Sequence, residues 1–265
     1  MNEVSKFQYI YNWLPDPVID LFIEVGELTR FTQRFFKELF RPPFEFNEFL
    51  YQSYIVGARS LGLIGLTGFI LGLVMTLQSR PVLMEFGAEA WLPGMVSVSI
   101  ITEIGPVITA LICAGKIASQ FGAVLGSMRV TEQIDAMEVS GVNPVNYLVV
   151  TRVLATTFMV PLLVLYADAI ALAGSFIAVN INGNISSTLF VFNVFDVLHF
   201  SDLLPAVVKT IFFGFMIGII GCYKGYFAGF GTEGVGKAAN TAVVSASLAV
   251  FLIDLIAVQV THIIY

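Results

Sequence analysis

Five apolar runs, each long enough to cross a lipid bilayer, constrain the fold of this chain more than any motif does. A membrane-spanning helix needs about 20 predominantly apolar residues. The runs lie near residues 57–79, 92–117, 147–177, 203–225 and 239–262. Charged residues make up only 12% of the 265 residues, against roughly 25% in a typical soluble domain. The sequence therefore predicts an all-α, polytopic membrane protein, in which residues 1–265 form a single domain and residues 57–265 the transmembrane bundle.

The first part of the chain is predicted to form an amphipathic helix rather than a span. Between residues 16 and 41, charged side chains recur with a helical period, and Phe22, Val25 and Phe35 fall on the opposite side. A helix of this kind lies in the membrane interface with its apolar face in the lipid, and we expect this for residues 16–41. The alternative is an ordinary amphipathic helix whose apolar side packs on the rest of the protein.

The distribution of basic residues predicts the orientation in the membrane, because cytoplasmic segments carry an excess of Lys and Arg. The N-terminal segment contains Lys6, Arg30, Arg34, Lys37 and Arg41. The connection at residues 178–202 contains no Lys or Arg. With five spans, this pattern places the N-terminus in the cytoplasm and the C-terminus on the outer, periplasmic side.

A polar island at residues 126–147 separates the second run from the third. One side of a helix would carry Val130, Ile134 and Met137, and another side Glu132, Asp135 and Glu138. Gly141 stands where a left-handed helix C-cap is expected, and a proline follows three residues later. The pattern predicts a short amphipathic helix near 130–140 on the cytoplasmic side, suited to docking on a partner in water. A solvated helix without a partner is the alternative.

Charged residues within the apolar runs are the sharpest functional pointers, because each is costly in the bilayer unless it is paired or hydrated. At about 1.5 Å per residue, Glu103 lies roughly 15 Å from the outer end of its run, Asp254 roughly 12 Å and Lys209 roughly 9 Å. Asp168 is expected close to the outer surface. A polar cavity that opens outward between the spans accounts for this distribution. Structural pairing, for example of Glu103 with Lys209, is the alternative.

Residues 231–238, GTEGVGKA, match a phosphate-binding loop except at Ala238, where the hydroxyl that holds Mg²⁺ is missing. No strand that could present such a loop precedes it. We expect a glycine-rich inner connection instead, so that any ATP would be hydrolysed by a separate chain. The sequence shows no catalytic arrangement and no metal-ligand spacing, and we expect no enzyme activity, no cofactor and no metal.

Glycines at four-residue spacing mark two of the runs. Gly68 and Gly72 lie in the first run. The pairs Gly214 and Gly218, and Gly225 and Gly229, lie along the fourth run and its end, with Gly221 between them. Small residues at this spacing allow helices to approach closely in lipid. They mark either a dimer seam or packing within one chain.

Residues 102–152, which include EQIDAMEVSGVNP at 132–144, resemble the signature of the MlaE/YrbE permeases of ABC-type lipid transporters. Residues 228–244 resemble a second stretch of that family. The resemblance implies a homodimeric permease of the bacterial inner membrane that moves phospholipid. It also implies three kinds of partner: a cytoplasmic ABC ATPase, an MCE-domain lipid carrier on the outer side and, in some systems, a STAS-domain protein. Nucleic acid is not an expected partner.

The resemblance also implies roles for particular residues. Glu103, Lys209 and Asp254 would line a lipid pocket. The surface that couples to the ATPase would be formed by Glu132, Gln133, Asp135 and Met137. The chain departs from the family pattern at Thr102, Lys116 and Val124, and the first two stand where Arg is usual.

Two other functional classes remain open from the sequence. An ion- or proton-coupled carrier would use Glu103 and Asp254 as proton sites, although no inverted repeat is visible. A non-transporting membrane scaffold would need neither residue.

Overall fold

The structure, a computed structural model, describes residues 16–42, 44–181 and 185–264. Within these ranges the chain forms helices and contains no strand. The α-helices are α1 (Asp16–Leu39), α2 (Phe46–Val56), α3 (Leu61–Glu85), α4 (Leu92–Ser99), α5 (Gly105–Cys113), α6 (Ser119–Val130), α7 (Gln133–Val139), α8 (Thr151–Ile181), α9 (Ser187–Val197), α10 (Phe200–Tyr226) and α11 (Gly231–Ile264).

Five stretches are long and apolar enough to cross a membrane. They are span 1 (Phe46–Glu85), span 2 (Glu89–Val130), span 3 (Val145–Ile181), span 4 (Asp202–Tyr226) and span 5 (Gly231–Thr261). The predicted all-α fold with five spans is therefore confirmed. We call the end of the bundle that carries α1 and α7 the island end, and the end that carries α4 and α9 the far end.

Glycines set the close packing of the spans within one chain. A Cβ atom on Gly68 of span 1 would lie 2.8 Å from the carbonyl oxygen of Ala167 in span 3. On span 4, Gly214 meets the backbone of span 3, and a Cβ on Gly225 would lie 2.8 Å from the carbonyl oxygen of Phe121 in span 2. Of the two explanations for the glycine spacing, packing within one chain is the one that the structure shows.

Span 2 is interrupted twice by π-helical turns, at Ile100–Ile104 and Ala114–Ala118. The first ends two residues before Pro106, and both prolines and π-helical turns are common causes of helix irregularity. Lys116, in the second, donates hydrogen bonds to the carbonyl oxygen of Arg59 and, at 3.1 Å, to Ser60 Oγ. Span 1 is broken at this same level, between α2 and α3, so the Lys116 ammonium group bonds to the chain at the break.

Helix α1 packs on the island end of span 4. Phe31 and Phe35 are almost fully buried, and the Phe31 ring meets the ring of Tyr223 with centroids 5.7 Å apart. Phe22 and Val25 of the same helix remain exposed. Part of the predicted apolar face thus packs on protein, as in the alternative interpretation, and the interfacial location of the rest stays a prediction.

Three local expectations are wrong in detail. The beginning of the polar island belongs to span 2, whose helix continues to Val130. Residues 231–238 are not a connection but the first turns of α11, where Ala238 packs against Gly122 of span 2. The connection at 178–202 contains the short helix α9, which is apolar but too short to be recognised as a span.

Candidate functional site

Lys209 of span 4 is the centre of an ion-pair cluster that joins three spans. Its ammonium nitrogen lies 2.7 Å from Glu103 Oε2 of span 2 and 2.9 Å from Asp254 Oδ1 of span 5. The Lys209 side chain is only 4% exposed, whereas Asp254 is 20% and Glu103 47% exposed. The three residues that the sequence assigns to a pocket therefore meet at one point.

The structure also shows the pairing that the alternative interpretation expected. A buried ammonium group in the bilayer needs charged partners, and Lys209 has two of them. Glu103, which stands in the π-helical turn of span 2, stays half exposed in this pairing. The site therefore combines a buried cation with a carboxylate that a ligand can reach.

Two grooves meet at Lys209. The polar groove, of about 260 Å³, lies between spans 2, 4 and 5, and its polar lining residues are Thr102, Glu103, Asp202, Lys209 and Thr261. The apolar groove, of about 320 Å³, lies between spans 4 and 5, and its lining includes Phe212, Ile253 and Val260. Both grooves are bounded by Pro205, Lys209, Ala257 and Thr261. A polar compartment thus adjoins an apolar one, which is the shape that an amphiphile requires.

Sequence analysis missed Asp202 and Thr261 as groove residues. Asp202 precedes Lys209 by seven residues, and Thr261 follows Asp254 by seven. Residues seven apart lie on the same face of a helix, so this spacing was a usable signal.

Asp168 does not belong to the cluster, and its expected depth close to the outer surface stays a prediction. It is buried in span 3 and faces Gly105 of span 2, where a Cβ atom would have no room. Its Oδ1 atom has no hydrogen-bond partner among the described residues. It lines a separate cavity of about 210 Å³ between spans 2, 3 and 4.

A second candidate surface lies at the island end, on α7. The predicted helix near 130–140 is shorter than expected, because Glu132 adopts a left-handed conformation with φ 58° and separates α7 from span 2. A left-handed conformation costs a non-glycine residue free energy, so the corner is held by its surroundings. At the other end, Gly141 has φ 79°, and the Val142 N–H donates to the carbonyl of Met137 at 3.0 Å. The predicted left-handed C-cap is confirmed.

The four predicted coupling residues differ in exposure. Glu132, Gln133 and Asp135 are exposed, whereas Met137 is half-buried and packs with Ile134 against the bundle core. Asp135 accepts a hydrogen bond from Arg129 at the end of span 2. The surface that α7 offers therefore combines acidic and polar side chains with the exposed apolar Val139, and Met137 lies at its edge.

Comparison of the sequence with known proteins identifies the family of the chain. The family described as Permease MlaE matches residues 49–260. A probable ABC transporter permease protein of Rickettsia typhi is 35% identical over 228 residues, which are 86% of this chain and 88% of that protein. One of Synechocystis is 36% identical over 203 residues, 77% of each chain. The chloroplastic protein TRIGALACTOSYLDIACYLGLYCEROL 1 of Arabidopsis thaliana is 31% identical over 207 residues, 78% of this chain and 59% of that protein.

The match covers nearly all of the five spans, the whole of α7 and every groove residue except Thr261. A permease family is one of transport proteins, which argues against a non-transporting scaffold. The chain is a multi-pass membrane transport permease and belongs to the MlaE permease family.

Proposed function

We propose that this chain is the membrane-spanning subunit of an ABC transporter that moves phospholipid between the inner membrane of a bacterium and an MCE-domain lipid carrier on the outer side. In this proposal a separate ATPase subunit hydrolyses ATP. The observation that carries the proposal is the pair of grooves at Lys209, one polar and one apolar, in a chain of the MlaE permease family.

The two grooves match the two parts of a phospholipid. The headgroup would occupy the polar groove, where Glu103 is half exposed. An acyl chain would follow the apolar groove between spans 4 and 5, along Phe212 and Ile253. Burial of each methylene group in such a groove contributes roughly 0.8 kcal/mol. The Arabidopsis relative carries the name of a glycolipid, which also supports lipid as the class of cargo.

The exposed face of α7 is the proposed contact with the ATPase. The Rickettsia typhi and Synechocystis relatives are named probable ABC transporter permeases, and a permease of this kind works with an ATPase. The island end would then face the cytoplasm, as the basic residues predict, with the N-terminus inside and the C-terminus periplasmic. We further propose that the chain acts as a homodimer, and that a STAS-domain protein accompanies the ATPase in some assemblies.

The proposal is tested with the transporter purified from its native membrane and reconstituted into liposomes. We expect the chain to copurify with an ATPase, and we expect ATP to drive transfer of a fluorescent phospholipid to an MCE-domain acceptor. Ala257 lines both grooves, and Ala257→Trp would fill the space where they meet and should abolish transfer. The control Ala88→Trp, in the loop at the far end, should not. Transfer that is independent of ATP, or equal in the two variants, would contradict the proposal.

A further inference from the structure

The polar groove presents acceptors rather than donors to a ligand. We propose that it selects phospholipids whose headgroup ends in a primary ammonium group; this inference rests on the proposed function and specifies the lipid for the same groove. The argument depends on three features of the groove: which charged group is exposed, how its hydroxyl groups are oriented, and which charges line it.

The charged group that a ligand meets first is a carboxylate. Glu103 is 47% exposed, whereas the Lys209 side chain is 4% exposed and already donates to Glu103 and Asp254. A phosphate group that approached Lys209 would have to displace one of these carboxylates. The groove therefore offers its exposed charge to a cation.

The two threonine hydroxyl groups in the groove both use their hydrogen to donate to the helix backbone. Thr102 Oγ1 donates to the carbonyl of Val98 at 2.8 Å, and Thr261 Oγ1 donates to the carbonyl of Ala257 at 2.8 Å. A hydroxyl group has one donor hydrogen and two acceptor lone pairs. Because both hydrogens are directed to the helix backbone, only acceptor lone pairs remain for a ligand.

The charges at the polar groove also favour a cationic headgroup. Among the described residues, Lys209 is the only Lys or Arg that lines the polar groove. Two carboxylates pair with this one cation, Glu103 in the groove and Asp254 behind it on span 5. A net anionic headgroup would be repelled here, and a headgroup without N–H donors would leave the acceptors unpaired.

A primary ammonium group meets both requirements, since it is cationic and donates three hydrogen bonds. Phosphatidylethanolamine carries such a group. Phosphatidylcholine has the charge without the donors, and phosphatidylglycerol has hydroxyl donors with a net negative charge. Comparison of the three lipids therefore separates the contribution of charge from that of hydrogen bonding.

The test uses the full chain in delipidated detergent solution with equimolar phosphatidylethanolamine, phosphatidylcholine and phosphatidylglycerol of identical acyl chains. Native mass spectrometry counts the bound lipids, and the lipid that Ala257→Trp still retains is subtracted as background. We expect phosphatidylethanolamine to be enriched about threefold or more over each competitor, the scale of one partly exposed charge contact. Equal binding, or enrichment of either competitor, would overturn the inference while leaving a lipid site in place.

A charge introduced at Thr102 provides the matched variant. Thr102→Arg places a guanidinium group in the groove and should shift binding toward phosphatidylglycerol, whereas Thr102→Gln, of similar length without the charge, should keep the original order. An unchanged order in Thr102→Arg would count against the inference. If no bound lipid is sensitive to Ala257→Trp, the proposed lipid site is itself wrong, and the inference falls with it.

Discussion

Lys209 shows how a single residue can hold three transmembrane helices in register. Its ammonium group is buried and bonded to carboxylates from spans 2 and 5. Removing one member of a buried ion pair is far more costly than removing an exposed charge, because the remaining charge is left unpaired in a low-dielectric environment.

We therefore expect Lys209→Met to lower the free energy of unfolding by about 3 kcal/mol, the low end of the range for buried pairs because Glu103 is half exposed. Lys237→Met makes the same chemical change at an exposed position of span 5 and should change stability by less than about 0.5 kcal/mol. Thermal unfolding of the purified variants in detergent measures the difference. Equal Tm values would show that the cluster contributes nothing to stability.

Glu103 is expected to act on the ligand more than on the fold. Glu103→Ala should leave the protein folded but reduce copurified phospholipid and transport about fivefold or more, the effect of losing a charge-assisted contact. Glu103→Gln keeps the size and the hydrogen-bonding capacity and should be milder. Lipid mass spectrometry and the transfer assay provide the two readouts. Equal loss of transport in both variants with unchanged lipid content would favour a proton-coupled carrier instead.

At the scale of the helices, glycine contacts decide how closely spans 1 and 3 approach. A Cβ atom on Gly72 would overlap the carbonyl oxygen of Ala171, whereas a Cβ on Gly62 of the same helix would meet nothing within 4 Å. Gly72→Ala should therefore destabilise the protein by about 1–3 kcal/mol through overpacking. Gly62→Ala should be neutral or stabilising, because alanine favours a helix. Thermal unfolding checks the order, and a reversed order would mean that spans 1 and 3 do not pack as described.

Helix α7 makes a prediction about coupling. Asp135→Lys should weaken association with the ATPase about tenfold, because it replaces a charge-assisted contact by repulsion. Copurification and binding titration measure the effect. Arg129→Ala, which removes only the internal partner of Asp135, and Glu233→Lys, the same charge reversal elsewhere at the island end, serve as controls. Unchanged association in Asp135→Lys, or an equal loss in Glu233→Lys, would remove α7 from the proposed interface.

The sequence predicted helices best where a pattern repeats and poorly where a single contact decides. The five spans and the Gly141 cap follow from local composition and turn chemistry. The left-handed corner at Glu132 and the π-helical turn that contains Glu103 do not, because no local residue pattern distinguishes either conformation from a regular helix. Helix α9 was missed because an apolar stretch of only 11 residues fits a loop as well as a helix.

For the molecule as a whole, the sequence predicted which residues form the candidate site but not how they are arranged. Glu103, Lys209 and Asp254 were identifiable because a charged side chain in an apolar run is costly in the bilayer unless it is paired or hydrated. That one ammonium group binds both carboxylates depends on how the spans pack. The same packing places Asp168 away from the cluster, beside Gly105, which the depth along a single span could not predict.

Site-specific photocrosslinking to lipid tests most directly the central claim that the grooves at Lys209 hold a phospholipid. A photoreactive amino acid is placed at Val98 in the polar groove or at exposed Leu162 of span 3, and cells are labelled with ³²P. We predict phospholipid adducts at both positions, with only the adduct at Val98 reduced by Glu103→Ala and abolished by Ala257→Trp. No adduct at Val98, or one as insensitive to both variants as that at Leu162, would contradict the account.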